Sequence, residues 1–269
     1  MAKTDIKLPN IRKQFVPDPG YTIYDADLAG ADAQVVAWEA EDEDLKAAFR
    51  AGLDVHDHNA EAMFGTRYTS LVGEASRSGT PKGKFRKLNK QGVHLTNYGG
   101  SARTMATVLG WTVKESEDFQ RRWFSIHPGI LSWQRRVEHS LVTTRSVENA
   151  FGFRITYFDR IDAILPQALA WIPQSTVALV TYYGFLQLQD RHPHARPTQD
   201  RPSYFEELLQ VHDSFVFQKP DTYYCSDLQI RNDLAIPVPY DDPLIIPWGL
   251  AKSNKSWGEC QEITFKEAA

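Results

Sequence analysis

The stretch Tyr21-Thr-Ile-Tyr-Asp-Ala-Asp27 alternates between the two faces of an extended chain and follows a turn-forming Pro-rich segment. Such alternation, rich in Tyr, Ile and Thr, predicts a β-strand that ends near Asp27. A second segment, Leu208 to Phe217, predicts a β-hairpin whose polar tip is His212-Asp213-Ser214. Two carboxylates on neighbouring strands can bind a pair of Mg²⁺ ions. The two segments therefore predict a sheet that carries a two-metal site.

A helix predicted after Pro81 places four side chains at four-residue intervals: Arg86, Lys90, His94 and Tyr98. Each step turns only about 40° around a helix of 3.6 residues per turn, so the four share one broad face. The segment contains no acidic residue, whereas exposed helix faces usually mix both signs of charge. Such a cationic, aromatic face can bind a triphosphate, and with the two carboxylates it indicates metal-assisted nucleotidyl transfer. The alternative is an amphipathic helix whose polar face only meets water.

Charge is segregated along a chain whose net charge is only −4. No acidic residue occurs from Ala75 to Lys114, whereas eleven carboxylates occur from Asp25 to Glu61. This arrangement suits cations in one region and phosphates in another. Two solvated faces of opposite sign are the alternative interpretation of the same pattern.

The remaining periodicities predict an α+β domain in which a helical insertion interrupts a sheet. Helical spacing occurs in Val35–Phe49, Lys114–Trp123, Gly129–Val142 and, as a long apolar helix, Ala163–Leu188. A Gly- and Ser-rich surface loop is predicted for Thr66 to Gly83. The Pro-rich segment Ile236 to Trp248 predicts edge strands and turns.

Several classes of protein are excluded by what the sequence lacks. The two cysteines form no CxxC pair, so neither a disulfide framework nor a cysteine zinc site is indicated. Nucleophile-elbow and Gly-rich phosphate-loop motifs are missing. No apolar signal core begins the chain, and we expect no apolar run long enough to span a bilayer, roughly 18 to 20 residues. A soluble, intracellular protein is expected.

Several short motifs occur in a distinctive order. They are Asp27-Leu-Ala-Gly-Ala-Asp32, Asp54-Val-His56, Met63-Phe-Gly65, Arg86-x3-Lys90-x3-His94-x3-Tyr98-Gly99, His127-Pro-Gly129, Phe151-Gly-Phe-Arg154, Gln174, Val211-His212-Asp213 and Lys252 to Gly258. In this order and spacing the chain resembles the polymerase region of family A DNA polymerases, the bacterial DNA polymerase I and T-odd phage type. The helix motif is the most diagnostic part, and the resemblance covers nearly the whole chain.

The resemblance implies a right-hand polymerase palm, an antiparallel sheet with helices, interrupted by a helical fingers subdomain. The palm would comprise residues 1–36 and 168–269, and the fingers residues 37–167. The family's thumb and 3′–5′ exonuclease regions are expected to be absent.

The same resemblance implies a role for each matching residue in template-directed addition of dNMP to a primer 3′-OH. Asp27 and Asp213 would bind both Mg²⁺ ions, with the backbone carbonyl of Leu28. Arg86, Lys90 and His56 would bind the triphosphate, Tyr98 would stack near the incoming base, and His94 would lie at the sugar. Asp32 would exclude a 2′-hydroxyl, and Gln174 and His212 would touch the DNA strands.

Three residues depart from the family pattern. Ser214 stands where the family has Glu, which removes a third nearby carboxylate. Asp32 is one methylene shorter than the usual Glu, and His94 replaces an aromatic Phe or Tyr. Metal binding is therefore expected to be weaker, and sugar discrimination does not follow from the resemblance.

Without a thumb the chain is expected to bind primer–template DNA poorly. We therefore expect a second polypeptide carrying the thumb and an exonuclease, as in a split phage polymerase acting in the cytoplasm of a bacterial host. The alternative is a non-catalytic nucleic-acid-binding or replisome subunit that kept the fold. An RNA-making polymerase of related architecture is a third possibility, which the Phe-Gly and His-Asp motifs disfavour.

Overall fold

Strand β1 is the centre of an antiparallel sheet in the computed structural model, which describes residues 10–77, 79–198 and 203–265, without the Asp162 side chain. The described strands are β1 (Tyr21–Leu28), β2 (Ser146–Glu148), β3 (Arg154–Thr156), β4 (Glu206–Val211), β5 (Ser214–Pro220), β6 (Pro237–Val238), β7 (Leu244–Ile245), β8 (Trp248–Ser253) and β9 (Gln261–Glu262). The order in the main sheet is β4-β5-β1-β8-β9, while β2-β3 and β6-β7 form separate pairs.

The α-helices described in residues 10–265 include the predicted ones, several of them longer than predicted. The described helices are α1 (Ala31–Glu39), α2 (Glu43–Arg50), α3 (Val55–Phe64), α4 (Thr66–Thr69), α5 (Pro81–Asn97), α6 (Ala102–Leu109), α7 (Val113–Ile126), α8 (Pro128–Thr144), α9 (Ile161–Arg191) and α10 (Asp227–Leu234). Of these helices, α3, α4, α6 and α10 were not predicted. A short 3-10 helix, Ile11–Gln14, precedes β1, and another spans Trp257–Glu259.

The backbone divides into two compact units. The first comprises the residues up to Ala31 together with Val177 onward, and the second comprises Asp32–Thr176. These boundaries differ by several residues from the predicted limits at 36 and 168. Naming the first unit palm and the second fingers remains a prediction.

In the first unit, β1 has no free edge because it pairs with a strand on each side. Its partners are β5, with Asp27 opposite Ser214, and β8, with Leu28 opposite Trp248. Alternation along the strand sends Tyr24, Ala26 and Leu28 into the core, where each is at most 3% exposed. The same alternation turns Asp27 to the other face of the sheet.

Helix α9 packs closely in this core because it has no side chain at Gly184. A Cβ at that position would lie 2.5 Å from the carbonyl oxygen of Leu234 and 3.3 Å from the Trp248 ring. The indole Nε1 of Trp248 donates to the same carbonyl over 3.0 Å. The Phe215 ring stacks on the Trp248 ring, and the two ring centroids lie 5.7 Å apart. This packing supports the sheet beneath the carboxylates.

In the second unit, the prediction of a single helix from Val35 to Phe49 is wrong, because α1 and α2 are separate helices. The chain breaks between α1 and α2, where Glu41 has a positive φ of 52° and the Asp42 side chain accepts the Leu45 N–H over 3.0 Å. Asp42 is buried, and His127 Nδ1 lies 3.1 Å from one of its oxygens. A capping residue and a buried partner for it decide the break, and hydrophobic spacing reveals neither.

The loop predicted from Thr66 to Gly83 is also partly wrong. Its first residues form α4, and its last residues belong to α5, which begins at Pro81 with Thr80 as the N-cap. Helix α6 was not predicted, although Ser101 caps its start and Gly110 ends it in the left-handed conformation. The predicted hairpin at Leu208–Phe217 is present, but its tip is only His212-Asp213, because Ser214 already belongs to β5.

Helix α9 contradicts the expectation that no apolar run is long enough to span a bilayer. Residues Ala163–Arg191 pass that test by length and composition alone, with 44% of the most apolar window buried. The helix also contains Pro166 and Pro173. Because core helices pass the same test, the finding is weak evidence for a membrane span.

We expect Gly184→Ala to destabilise the protein by about 1–3 kcal/mol through overpacking. Alanine favours a helix over glycine by about 1 kcal/mol, so a net loss of stability would report the steric clash itself. Urea unfolding followed by circular dichroism measures the change. Gly79→Ala, where an added Cβ meets nothing within 4 Å, is the control. Equal stability of the two variants would contradict the close packing of α9.

Candidate functional site

The first unit carries an acidic cleft of about 410 Å³ on the face of the sheet to which Asp27 projects. Its lining includes Asp25, Asp27, Ser214, Glu262 and one cationic residue, Arg12. Strand pairing sets its floor, because Asp27 lies opposite the first residue of β5. The Leu28 N–H also donates to the Asp213 carbonyl oxygen over 3.1 Å, which holds the hairpin tip against the end of β1.

The predicted pair of carboxylates is therefore brought together. His212 adopts a positive φ of 55° at the tip, which allows the chain to reverse within two residues. Partial burial, followed by the charges of Asp213 and Asp25, raises the pKa of Asp27 to about 6, against a smaller lowering effect of Arg12. Asp27 is nevertheless open to solvent at its surface. Oxygen donors with uncompensated negative charge fit a divalent cation such as Mg²⁺.

Ser214 does not replace the carboxylate that the family pattern has at this position. Its hydroxyl donates to the Val211 carbonyl oxygen over 2.8 Å, and only 9% of the residue is exposed. The hydroxyl therefore stabilises the hairpin and does not act as an acidic group in the cleft.

Asp25 is a residue of the cleft that the sequence analysis missed. It lies two positions before Asp27 on the same strand, so both carboxylates project from the same face. The Trp257 indole Nε1 donates to one Asp25 oxygen over 2.7 Å. The strand alternation itself was the available signal, because a period of two predicts that Asp25 and Asp27 share a face.

The second unit holds a cationic cluster built from α3 and α5. Arg86 Nη2 lies 2.6 Å from both oxygens of Asp54, which also caps α3 by accepting the N–H groups of His56 and Asp57. Partial burial alone would raise the pKa of Asp54, but its hydrogen bonds to Arg86 and to Asp57 lower it on balance. Asp54 therefore holds Arg86 in place, a role that the sequence analysis did not assign.

His56 lies within the field of the same cluster. Burial, followed by the charges of Lys90 and Arg86, lowers the pKa of His56 to about 4. The imidazole is therefore neutral near pH 7, and it can donate one hydrogen bond without adding charge. Lys90 itself is exposed on α5. The predicted residues Arg86, Lys90 and His56 are thus neighbours.

Asp32 links the last two predicted helix residues. The Tyr98 hydroxyl donates to Asp32, and His94 Nδ1 lies 3.6 Å from the same carboxylate oxygen. The His94 and Tyr98 rings meet edge to face at 4.6 Å. Burial, then the Asp32 charge, raises the pKa of Tyr98 well above its usual range. Tyr98 is only 8% exposed, so the four predicted side chains do not form one uniformly open face.

The remaining predicted residues are placed separately. Gln174 is exposed on α9, and Leu28 is buried at the end of β1. One further group, Asp42, Asp44 and His127, brings potential metal-ligand atoms within 4.8 Å of one another. Asp42 already caps α2 and pairs with His127, so this group has a structural role without an ion.

Comparisons with known proteins agree with this arrangement. The sequence profile described as DNA polymerase family A matches residues 3–230. The thermostable DNA polymerase I of Thermus filiformis is 29% identical over 260 residues, which are 94% of this chain and 29% of that protein. The DNA polymerase I of Pseudomonas aeruginosa is 32% identical over 145 residues, 54% of this chain and 15% of that protein.

A solved structure shows the same fold. The polymerase domain of Pol1 from M. smegmatis, determined with DNA primer-template and dNTP, matches with a TM-score of 0.74 at 20% identity. The match covers 93% of this chain and 42% of that chain. The predicted resemblance and the predicted fold of helices and antiparallel sheet are confirmed. The chain spans about 29% of the Thermus relative's length.

In metal-free buffer above pH 6, Asp27→Asn should stabilise the protein, because the folded state holds this charged carboxylate at a cost. The pKa of Asp27 is about 6 in the folded chain, above its ordinary value of 3.8. As the pH rises from about 4 to 6, the wild-type protein should therefore lose stability relative to the variant. Below pH 4 the two proteins should be equally stable. Because the residue is exposed, we expect at most about 1 kcal/mol.

Urea unfolding in EDTA at pH 4 and pH 7.5 measures this difference. Asp241→Asn, at an exposed position outside the cleft, is the matched control. A variant less stable than wild type at pH 7.5 would contradict the electrostatic cost assigned to Asp27.

Proposed function

Because the chain belongs to DNA polymerase family A, we propose that it is a palm-and-fingers catalytic fragment that adds dNMP to a primer 3′-OH under direction of a DNA template. The observation that carries the proposal is the pair Asp27 and Asp213, held together by strand pairing, where partial burial and then the charge of Asp213 raise the pKa of Asp27. A protein with no use for a cation there would gain stability by losing one of these charges.

In the proposed reaction the primer 3′-hydroxyl loses its proton to solvent water, and its oxygen forms a bond to the α-phosphorus of a dNTP. The bond from that phosphorus to the bridging oxygen of the β-phosphate breaks, and pyrophosphate leaves. Two Mg²⁺ ions, when bound, would activate the 3′-oxygen and neutralise charge on the phosphates. Asp27 and Asp213 would hold them, assisted by the Leu28 carbonyl oxygen.

The cationic cluster of the second unit would bind the triphosphate. Lys90 offers an exposed ammonium group, and neutral His56 offers a hydrogen-bond donor. Arg86 is bound to Asp54, so a phosphate would have to share or replace that carboxylate. Pairing with Asp54 keeps the guanidinium ordered before the nucleotide arrives, which lowers the entropic cost of binding.

Asp32, His94 and Tyr98 would surround the sugar and base of the incoming nucleotide. The shared carboxylate of Asp32 orients both rings. Gln174 is exposed and His212 lies at the hairpin tip, so both can contact DNA strands. We place the reaction in the bacterial cytoplasm, as for the DNA polymerase I relatives.

Primer extension is the test of the proposal. The chain is incubated with labelled primer–template, dNTPs and Mg²⁺, first alone and then with the polypeptide encoded next to it. Extension in either mixture supports a polymerase. Extension only with the second polypeptide supports the additional proposal that the chain is one part of a split phage polymerase. No extension in either mixture, with folding confirmed by circular dichroism, would refute the catalytic proposal.

We expect Asp27→Ala and Asp213→Ala each to lower the rate of nucleotide incorporation by roughly 10³-fold, because each removes a metal ligand worth several kcal/mol in the transition state. Single-turnover extension measures the rate. DNA affinity should be unchanged or higher, since a negative charge is removed. Asp241→Asn should retain the wild-type rate.

The non-catalytic alternative is favoured by one observation, the engagement of Ser214 with Val211 where a third carboxylate is expected. A binding subunit of this kind would bind nucleic acid equally well with and without Asp27. Wild-type incorporation at background level, with DNA binding unaffected in Asp27→Ala, would therefore support the alternative.

Discrimination against ribonucleotides should depend on Asp32. We expect Asp32→Ala to raise the ratio of rNTP to dNTP incorporation by about ten-fold or more, because both the carboxylate and its hold on Tyr98 are lost. Asp32→Glu should lower the ratio by filling more of the space near the sugar. Competition between rNTP and dNTP on one template measures the ratio, and the same ratio in all three proteins would exclude this role.

A further inference from the structure

Arg12 is the one cation among the described residues that line the acidic cleft. Asp25, Asp27 and Glu262 line the same cavity, and Asp213 is held beside it at the hairpin tip. A DNA backbone that enters this cleft therefore meets carboxylates that repel it. A cation positioned in the cleft is what would let a phosphate approach.

The Arg12 side chain is held in a defined place although it is exposed. Its guanidinium carbon lies 4.4 Å from the centroid of the Trp257 ring, a cation–π contact. Trp257 is itself fixed by its Nε1 bond to Asp25 at 2.7 Å and by its backbone N–H bond to the Phe15 carbonyl at 2.8 Å. Asp25, Trp257 and Arg12 thus form a chain of contacts.

No residue that the structure describes accepts a hydrogen bond from the Arg12 guanidinium. Among the residues that the structure describes, Arg12 forms no ion pair within 4.0 Å, even though three carboxylates share its cavity. A guanidinium that stacks through its face keeps its N–H donors free, and their fork matches two phosphate oxygens.

We propose that Arg12 binds a backbone phosphate of the primer strand near its 3′ end, and that Trp257 and Asp25 position the guanidinium for this contact. The inference rests on the proposed polymerase function. Arg86 and Lys90 are assigned to the triphosphate, and Arg12 is the cation beside Asp27, where the primer 3′-oxygen would react. A guanidinium that only neutralised Asp25 and Asp27 would instead be expected to pair with one of them directly.

The experiment is a double-mutant cycle between Arg12 and single primer phosphates. Each of the last few linkages of the primer is replaced in turn by an uncharged methylphosphonate, and affinity for the primer–template is measured by fluorescence anisotropy. For wild type we expect one linkage to lower the affinity by roughly ten-fold when neutral. For Arg12→Ala the affinity is already lowered, and that linkage should have no further effect.

Lys13→Ala is the matched control, because it removes one exposed cation from the same short helix without entering the cleft. Its affinity should fall by the same factor as that of wild type at each neutral linkage. Arg12→Ala should also reduce the slope of log affinity against log salt by about one. Trp257→Phe keeps a ring but loses the N–H to Asp25, so its coupling to the sensitive linkage should be smaller than that of wild type. Circular dichroism confirms folding of each variant.

The outcomes separate the two proposals. If the effects of Arg12→Ala and of a neutral linkage are additive at every linkage, in a chain that extends primers, the proposed role of Arg12 is refuted and the catalytic proposal stands. Coupling at one linkage in a chain that binds DNA without extending it would support the role of Arg12 and refute the catalytic proposal. No binding of primer–template by wild type, alone or with the polypeptide encoded next to it, would refute both.

Discussion

The antiparallel pairing of β1 with β5 is the constraint on which the candidate site depends. It places Asp27 opposite Ser214 and brings the Leu28 N–H to the Asp213 carbonyl oxygen, so two carboxylates from distant parts of the sequence become neighbours. Partial burial, and then the charge of Asp213, raises the pKa of Asp27. The cost of holding this charged carboxylate is offset by the buried residues on the opposite face of the same strands, among them Tyr24, Leu28 and Phe215. Ile23, Val216 and Trp257, which are buried on the carboxylate face itself, add to this stabilisation.

In the second unit, the cationic residues of α5 lie close enough to repel one another. Cations assembled for a phosphate would repel one another in the empty protein, and the structure reduces that repulsion in two ways. Asp54 pairs with Arg86, and His56 remains neutral because its pKa is lowered to about 4. Asp32 serves Tyr98 and His94 in a similar manner. Acids at helix starts therefore order the groups proposed to hold a nucleotide.

Departures from the family pattern gain a physical context from these contacts. Ser214 turns inward to the hairpin, and the cleft instead contains Asp25, a carboxylate from β1 that is tied to Trp257. His94 places an imidazole nitrogen 3.6 Å from a carboxylate oxygen of Asp32, a polar contact that a Phe ring cannot offer.

The sequence alone predicted β1, the hairpin, the helices α5, α7 and α8, the long helix α9 and, through the motifs of the family resemblance, most candidate residues, but it did not predict α3, α4, α6 or α10. The predicted features follow from local periodicity and from motifs whose spacing is written in the chain. Tertiary structure decided the features that depend on partners distant in sequence. Asp42 ends one helix and begins another with His127 beside it, Asp54 holds Arg86, and Tyr98 turns inward to Asp32. Periodicity predicts on which face of a helix or strand a side chain lies. Its hydrogen-bond or ion-pair partner comes from a distant part of the sequence, so only the tertiary structure decides the final position of the side chain.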